Sequence, residues 1–309
     1  MRQNILIIGY GSISRKHLKI LLKIKKYEIY IISKHLKSCI GATIISEDQA
    51  KQKKFDFCFI LTPATNRLKY LKIFKNNSKN FFLEKPISNN FNLTKKYFSI
   101  LDKKIKKKLY VGYVFNHHSL INYLIKKINK IDKKNIKSIQ IISKSNIKDW
   151  RKNITYYKSV SANQKFGGGV VNELSHELNF LVTLLKYQNI KKKYCNLHRS
   201  KNLMLDVEDR ADLFFKYKNL FPINVTLDFN CIKKERRIII ETVAQTFDLN
   251  LNENSLYIYK GRSYRKIKLK NEFEKMFDRQ LTYFLKQKFN SKDLINALDT
   301  VKIIHEIKK

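Results

Sequence analysis

Residues 4–8, NILII, form a short apolar run that passes directly into Gly9-Tyr10-Gly11-Ser12-Ile13-Ser14, and Leu18, Leu21 and Leu22 then recur at helical spacing. Strand, glycine turn and helix in that order constrain the rest, because a strand that leaves through a helix comes back to its sheet as a parallel neighbour. The runs EIYII (28–32), DFCFIL (56–61), NFFLE (80–84) and YVGYV (110–114) supply further strands, with helices expected near 66–76 and 90–107. Strands that are apolar along their whole length suit a sheet covered by helices on both faces.

At 309 residues the chain suits two domains, and its pattern changes after residue 115. A helix near 118–130 leads to the alternating run IKSIQIIS (136–143), an irregular stretch at 146–166, and Gly167-Gly168-Gly169 at the head of a helix. From 208 onward the segments EDRADLFFKYK, INVTLDFNCI, RIIIETV, TFDLNL, SLYIYK and RKIKLK alternate with period two, as strands of an antiparallel sheet do. Two helices, about 271–288 and 291–308, close the chain. The expected division is 1–115 and 116–309, with the terminal helices packing back on the first domain.

Gly9-x-Gly11-x-x-Ser14 between a strand and a helix is the dinucleotide-binding turn with serine in its third glycine position. Gly9 permits the tight turn, and Gly11 lets backbone approach a pyrophosphate. The helix opening at Ser12 and Ile13 offers N–H donors and the positive end of its dipole. Ser14 is small enough to keep strand and helix close. Where an acid at the end of the second strand would hold a ribose 2′-hydroxyl, the chain has Ser33-Lys34-His35. A hydroxyl and cations suit a 2′-phosphate, so the cofactor is NADP or NAD with the lean toward NADP. The fold class is therefore α/β: an N-terminal Rossmann, doubly wound parallel sheet, then a C-terminal α+β domain with a large, mostly antiparallel open sheet.

A formal net charge of +39 invites a nucleic-acid reading. Lysine greatly outnumbers arginine, however, and travels with Ile, Asn, Tyr and Phe throughout, as a compositional bias would leave it. Clusters such as 103–108 and 191–193 are expected at helix ends or in loops as solvated faces, with no specific nucleic-acid partner. Hydrophobic residues at 43% are enough for sizeable cores. No apolar run approaches a membrane span, and no signal-peptide pattern stands at the N-terminus. Cys39, Cys58, Cys195 and Cys231 are scattered without metal-ligand spacing, so reduced thiols, a cytoplasmic location and no metal are expected.

With Gly9–His17, Thr62-Pro63, Glu84-Lys85-Pro86 and the triple-glycine helix together, the chain resembles the glucose–fructose oxidoreductase and myo-inositol dehydrogenase family. The resemblance spans nearly the whole chain. It implies a two-domain NAD(P)-dependent oxidoreductase acting on a sugar, cyclitol or nucleotide sugar, homo-oligomeric through its C-terminal sheet. It also implies that Thr62, Pro63, Glu84 and Lys85 join the turn residues in binding the cofactor. The segment from Asp149-Trp150-Arg151 through Tyr156 to Ser159-Val160-Ser161-Ala162 looks like a branch often associated with surface-glycan sugars. His118, Trp150, Arg151, Tyr156 and Asn172 become candidate substrate contacts. Departures are plain as well: Glu173 stands where the family usually has aspartate, Asn179 where a second acid is common, Arg67 where histidine is frequent, and Asn116 where arginine is expected.

Oxidising a sugar alcohol requires a group that takes the hydroxyl proton as hydride leaves. An imidazole ordinarily exchanges protons near neutral pH, which makes His176 the natural base. Lys85 can hydrogen-bond the same oxygen and stabilise charge developing on it. Glu173, three residues before His176, falls on the same face of a continuous helix and would orient substrate or imidazole. The glycines at 167–169 would let backbone pass bare against the nicotinamide or substrate. The departures leave a second function open, a nucleotide-binding regulator or scaffold of the same fold without catalysis.

Overall fold

The computed structural model describes residues 2–150 and 155–309. They divide into two compact units, 1–113 with 277–301, and 114–276 with 302–309.

In the first unit β1 (Gln3–Ile8), α1 (Ser12–Ile24), β2 (Tyr27–Ile32), β3 (Thr43–Ile44), α2 (Glu47–Lys51), β4 (Phe55–Ile60), α3 (Arg67–Phe74), β5 (Ser78–Leu83), α4 (Phe91–Ile100), α5 (Lys103–Lys106) and β6 (Leu109–Val111) follow one another. The six strands are parallel in the order β3-β2-β1-β4-β5-β6. Alternation of side chains along a strand divides the core in two. Leu6, Ile8, Cys58, Ile60, Phe81 and Leu83 face one cluster, and Ile5, Ile7, Phe57, Phe59 and Phe82 face the other. Both faces are therefore buried, as continuous apolar strands require. The segment 277–301 completes the two clusters: Leu281, Phe284 and Phe289 join one, while Leu294, Ala297 and Val301 join the other. Each fully buried Leu, Ile, Val or Phe among them contributes about 1.5–3 kcal/mol of hydrophobic stabilisation. The helix expected over 90–107 is two helices. Leu101 is extended, and the Asp102 carboxylate accepts from Lys104 N at 2.6 Å, which starts a fresh turn.

The second unit runs α6 (Ser119–Asn129), β7 (Ile136–Lys144), α7 (Val170–Glu173), α8 (Ser175–Leu185), β8 (Ile190–His198), β9 (Arg210–Tyr217), β10 (Phe221–Asp228), β11 (Glu235–Thr242), β12 (Thr246–Asn250), β13 (Ser255–Lys260) and β14 (Ser263–Lys268). After these come α9 (Glu272–Leu285) and α10 (Ser291–Ile307), whose outer portions fall to the second unit and whose 277–301 core falls to the first. Among the described residues the strands form one sheet, ordered β14-β13-β12-β11-β7-β10-β9-β8 and antiparallel except where β10 pairs with β7. Lys191, Lys192 and Lys193 lie in β8, not in a loop or helix end. β8 pairs only with β9 and is exposed over most of its length, so it lacks the alternation that marks a strand with one buried face.

Candidate active site

In the first unit the loops after four neighbouring strands leave the sheet at one level. Gly9 N donates to Ile32 O at 2.9 Å, Leu61 N to Ile8 O at 2.9 Å, Glu84 N to Ile60 O at 3.1 Å, and Gly112 N to Leu83 O at 2.8 Å. Gly9, Leu61 to Pro63, and Glu84 to Pro86 thus gather at the carboxyl edge of the sheet, around the switch point between β1 and β4. That edge is where parallel sheets of this kind bind nucleotides.

The two glycines of the turn do different work. Gly9 has φ +93°, and a Cβ there would stand 3.1–3.2 Å from the backbone of Leu61 and Thr62, so the chain itself demands glycine. Gly11 has an ordinary φ of −99°, and a Cβ there would meet nothing within 4 Å. The space over the start of α1, beside Ser12 and Ile13, is left open by the protein. Ser14 does more than stay small: fully buried, its hydroxyl donates to Gly9 O at 2.8 Å and accepts from Gly11 N at 3.3 Å, which staples the turn.

The loop after β4 is tied to the loop after β5 by Arg67. Its side chain is 6% exposed, donates from Nε to Thr62 O at 3.0 Å, and donates from Nη1 to Pro86 O. Sequence comparison marks this residue only as a departure from histidine; its bridging geometry has no linear signal. The Thr62 hydroxyl is buried and has no hydrogen-bond partner among the described residues. Lys85 is half-buried at the cis Lys85–Pro86 bond. After β2, Ser33 accepts from His35 N at 3.4 Å, and Lys34 is exposed. An open cradle at a helix N-terminus, an unsatisfied buried hydroxyl beside it and a cation at its edge fit a dinucleotide phosphate chain.

In the second unit the glycine loop departs from expectation. Gly167 has φ +79° and ends the short 3₁₀ turn Gln164–Phe166. A Cβ on Gly168 would lie 2.5 Å from Ser161 O, and one on Gly169, φ +104°, would collide with the Glu208 carboxylate. The room these glycines leave is filled by the chain's own backbone and by Glu208, so a bare approach to the nicotinamide or substrate is not needed to account for them. Asn172 holds the same loop, its Nδ2 donating to Gly167 O and Gly168 O at 3.0 Å each. Both of its donors are thereby committed, which leaves Oδ1 buried and without a partner among the described residues.

Glu173 and His176 do not share one helix face. Leu174 (φ −92°, ψ 29°) breaks the segment, so Glu173 ends α7 and His176 lies in the first turn of α8. Both are half-buried. Asn179 is buried further along α8. Trp150 and Tyr156 are engaged in loop packing: the indole Nε1 donates to Ser145 Oγ at 2.9 Å and its ring meets Phe229 edge-on, while the Tyr156 hydroxyl accepts from Met204 N at 3.1 Å. His118 is buried at the head of α6, its Nδ1 3.9 Å from Glu272 Oε1, an oxygen that accepts a hydrogen bond from Ser119 N. Arg151, expected as a substrate contact, lies outside the described residues.

No family model matches the sequence, and no curated protein matches it. Solved structures do. A 3-ketoreductase from Actinomadura kijaniata, held with NADP and TDP-benzene, aligns with a TM-score of 0.79 over 100% of this chain and 97% of its own at 12% identity. A levoglucosan dehydrogenase in complex with NADH gives 0.82 over 100% and 96% at 11% identity. A UDP-N-acetylglucosamine 3-dehydrogenase from Acidithiobacillus ferrooxidans gives 0.73 over 99% and 97% at 13% identity. This chain has the fold of these three structures. The two-sheet architecture implied by the sequence resemblance is the one found, carried by a sequence that shares about an eighth of its residues with these neighbours.

Within that fold, sequence reasoning missed Phe115, Glu177, Arg236 and Glu208. Arg236 had no signal to find it by, being one of 64 lysines and arginines. Glu208 was visible only as the first residue of the alternating run EDRADLFFKYK. In the structure its Oε1 lies 2.8 Å from Lys308 Nζ and accepts from Val171 N at 3.3 Å, which ties the chain's last residues to α7.

Proposed function

We propose that the protein is an NAD(P)-dependent oxidoreductase that moves hydride between its cofactor and a hydroxyl or carbonyl of a sugar, cyclitol or nucleotide sugar. The observation that carries this reading is the space at Gly11: a helix N-terminus at the switch point of a parallel sheet, left open where any side chain would project. Gly9, Gly11, Ser12, Ile13, Thr62, Pro63, Glu84 and Lys85 would hold the dinucleotide, with Ser33 and Lys34 at a 2′-phosphate, so NADP is the preferred form. When bound, the nicotinamide supplies or accepts the hydride. His176 exchanges the substrate proton, and Lys85 donates a hydrogen bond to the oxygen on which charge develops. Glu173, on its own short helix, orients the substrate. The neighbours include a levoglucosan dehydrogenase and a UDP-N-acetylglucosamine 3-dehydrogenase, which supports a sugar-like substrate.

The outer face of the eight-stranded sheet, where Tyr194 pairs across from Phe214 and Arg237 pairs with Asp248, is the surface through which the chain would form a homo-oligomer in the cytoplasm. No helix among the described residues is long and apolar enough to cross a membrane.

The test is calorimetric titration of NADPH and NADH into wild type and Gly11→Val, followed by hydride transfer from a sugar panel that includes levoglucosan and UDP-N-acetylglucosamine. Loss of nucleotide binding in the variant is expected. Removing His176 or Lys85 should lower single-turnover rates by about 100- to 10,000-fold with little change in nucleotide affinity. Unchanged nucleotide affinity in Gly11→Val would sink the cofactor reading. Intact binding with no turnover on any sugar would favour the regulator or scaffold.

A further inference from the structure

Glu177 follows His176 in the first turn of α8 and is 2% exposed. A buried carboxylate without a counter-charge is strongly unfavourable. Its counter-charge is Arg236 at the start of β11, whose Nε donates to Glu177 Oε1 at 2.7 Å while Nη2 stands 2.7 Å from the same oxygen. The guanidinium has a second neighbour. Its Cζ lies 4.3 Å from the centroid of the Phe115 ring. That ring also stacks on the His176 imidazole, with centroids 4.8 Å apart and 23° between the planes. Four side chains therefore close a circuit that starts and ends in two successive residues of one helix.

We propose that Arg236 is a positioning residue for His176, acting through Phe115 and Glu177; the proposal rests on the reading of His176 as the proton-transfer group. His176 is half-buried, and its imidazole turns about two side-chain bonds. The flat face of Phe115 removes most of that freedom, provided the ring itself is held. Phe115 is 5% exposed, and a planar guanidinium lies against it. The guanidinium is fixed in turn by the carboxylate next to His176, so helix and ring are referred to the same group. A lysine could neutralise Glu177, but its compact ammonium lacks a flat surface to stack on the ring. A misplacement of about 1 Å in a proton-transfer group lowers rates roughly 100-fold, which is the scale on which such support acts.

The test reads the imidazole directly. Full-length protein labelled at its seven histidines gives their ring signals by nuclear magnetic resonance, and His176→Gln identifies the one that disappears. In wild type the ring current of Phe115 should place the His176 ring protons upfield of those of an exposed histidine such as His35. Phe115→Leu should move the signal to the exposed position, and Phe115→Tyr should keep it. Arg236→Gln should move or broaden it as well. Because that change leaves Glu177 buried without its counter-charge, the pair Arg236→Gln with Glu177→Gln serves as the folded control and should act the same way.

A His176 signal unmoved by Phe115→Leu, or moved by Phe115→Leu but not by the Arg236→Gln, Glu177→Gln pair, overturns the role of Arg236. Kinetics with NADP+ and levoglucosan or UDP-N-acetylglucosamine separate this proposal from the reading beneath it. Arg236→Gln should lower kcat roughly 10- to 100-fold with KM little changed, and an unchanged kcat in a protein that His176→Gln inactivates also overturns it. Wild-type rates in His176→Gln would instead remove the proton-transfer reading. The resonance experiment decides the geometry whether or not either sugar turns over.

Discussion

His17 occupies a place built for an apolar ring. Helix α1 brings it, fully buried, against Phe59, Phe82 and Phe277, and neither ring nitrogen has a hydrogen-bond partner among the described residues. Desolvation, helped by nearby Lys16, lowers its pKa to about 4. The folded protein thus keeps His17 neutral, whereas the unfolded chain protonates it below its ordinary pKa near 6.5. Stability from this residue is complete above that value, declines as pH falls through the window from 6.5 to 4, and is level below it. Between pH 7 and pH 5 wild type should lose about 2 kcal/mol through His17. Denaturant unfolding at the two pH values checks this: His17→Phe should lose less by that amount, and equal losses would show that His17 is not the group responsible. Arg67 is the opposite case, a buried charge with both loop carbonyls to satisfy. Arg67→Ala leaves Thr62 O and Pro86 O without their donor and should lower unfolding free energy by about 1–3 kcal/mol, measured in urea.

At the scale of elements, two glycines make opposite forecasts. Gly169 begins α7 with positive φ and with Glu208 where a Cβ would go, so Gly169→Ala should destabilise the protein by about 1–3 kcal/mol and disturb the pairing of Glu208 with Lys308. Gly11 begins α1 with an unstrained φ and open space, so Gly11→Ala should change stability by no more than about 1 kcal/mol while weakening NADPH binding. Thermal melts beside nucleotide titrations of both variants distinguish them, and a Gly169→Ala protein as stable as wild type would contradict the packing described here. The interruption at Leu174 belongs to this scale too. A four-residue helix followed by a new one turns His176 away from the register that unbroken 3.6-residue spacing predicts.

For the whole molecule, charge is the largest global quantity, +39 over 309 residues. If it is a compositional by-product, duplex DNA should bind weakly, without sequence preference, and be released steeply as salt rises. Fluorescence anisotropy across a salt series tests this, and tight sequence-selective binding at physiological salt would contradict it. Some of the acidic residues meanwhile pair with arginine: Arg210 with Asp212, Arg236 with Glu177 and Arg237 with Asp248. Asp212 is held below the ordinary carboxylate range chiefly by its hydrogen bond from Arg210. A chain so rich in lysine uses arginine for these contacts, where a planar fork engages a carboxylate better than an ammonium does.

The sequence alone determined the strand–turn–helix opening, the parallel sheet and the glycine turn at its carboxyl edge. These follow from local periodicity and from backbone demands that single residues express: Ile5 and Ile7 against Leu6 and Ile8 on two faces, and glycine where Gly9 turns. It also placed most of the alternating strands of the second unit, because one buried face writes a period of two into them. Tertiary structure decided the rest. Only folding puts Ser161 and Glu208 into the space beside the glycine loop, Arg67 between two loops, and Arg236 beside Glu177 and Phe115. The contacts of Glu208 and of Arg236 join residues tens of positions apart. A partner chosen through space from 64 like-charged side chains leaves no spacing for the sequence to reveal.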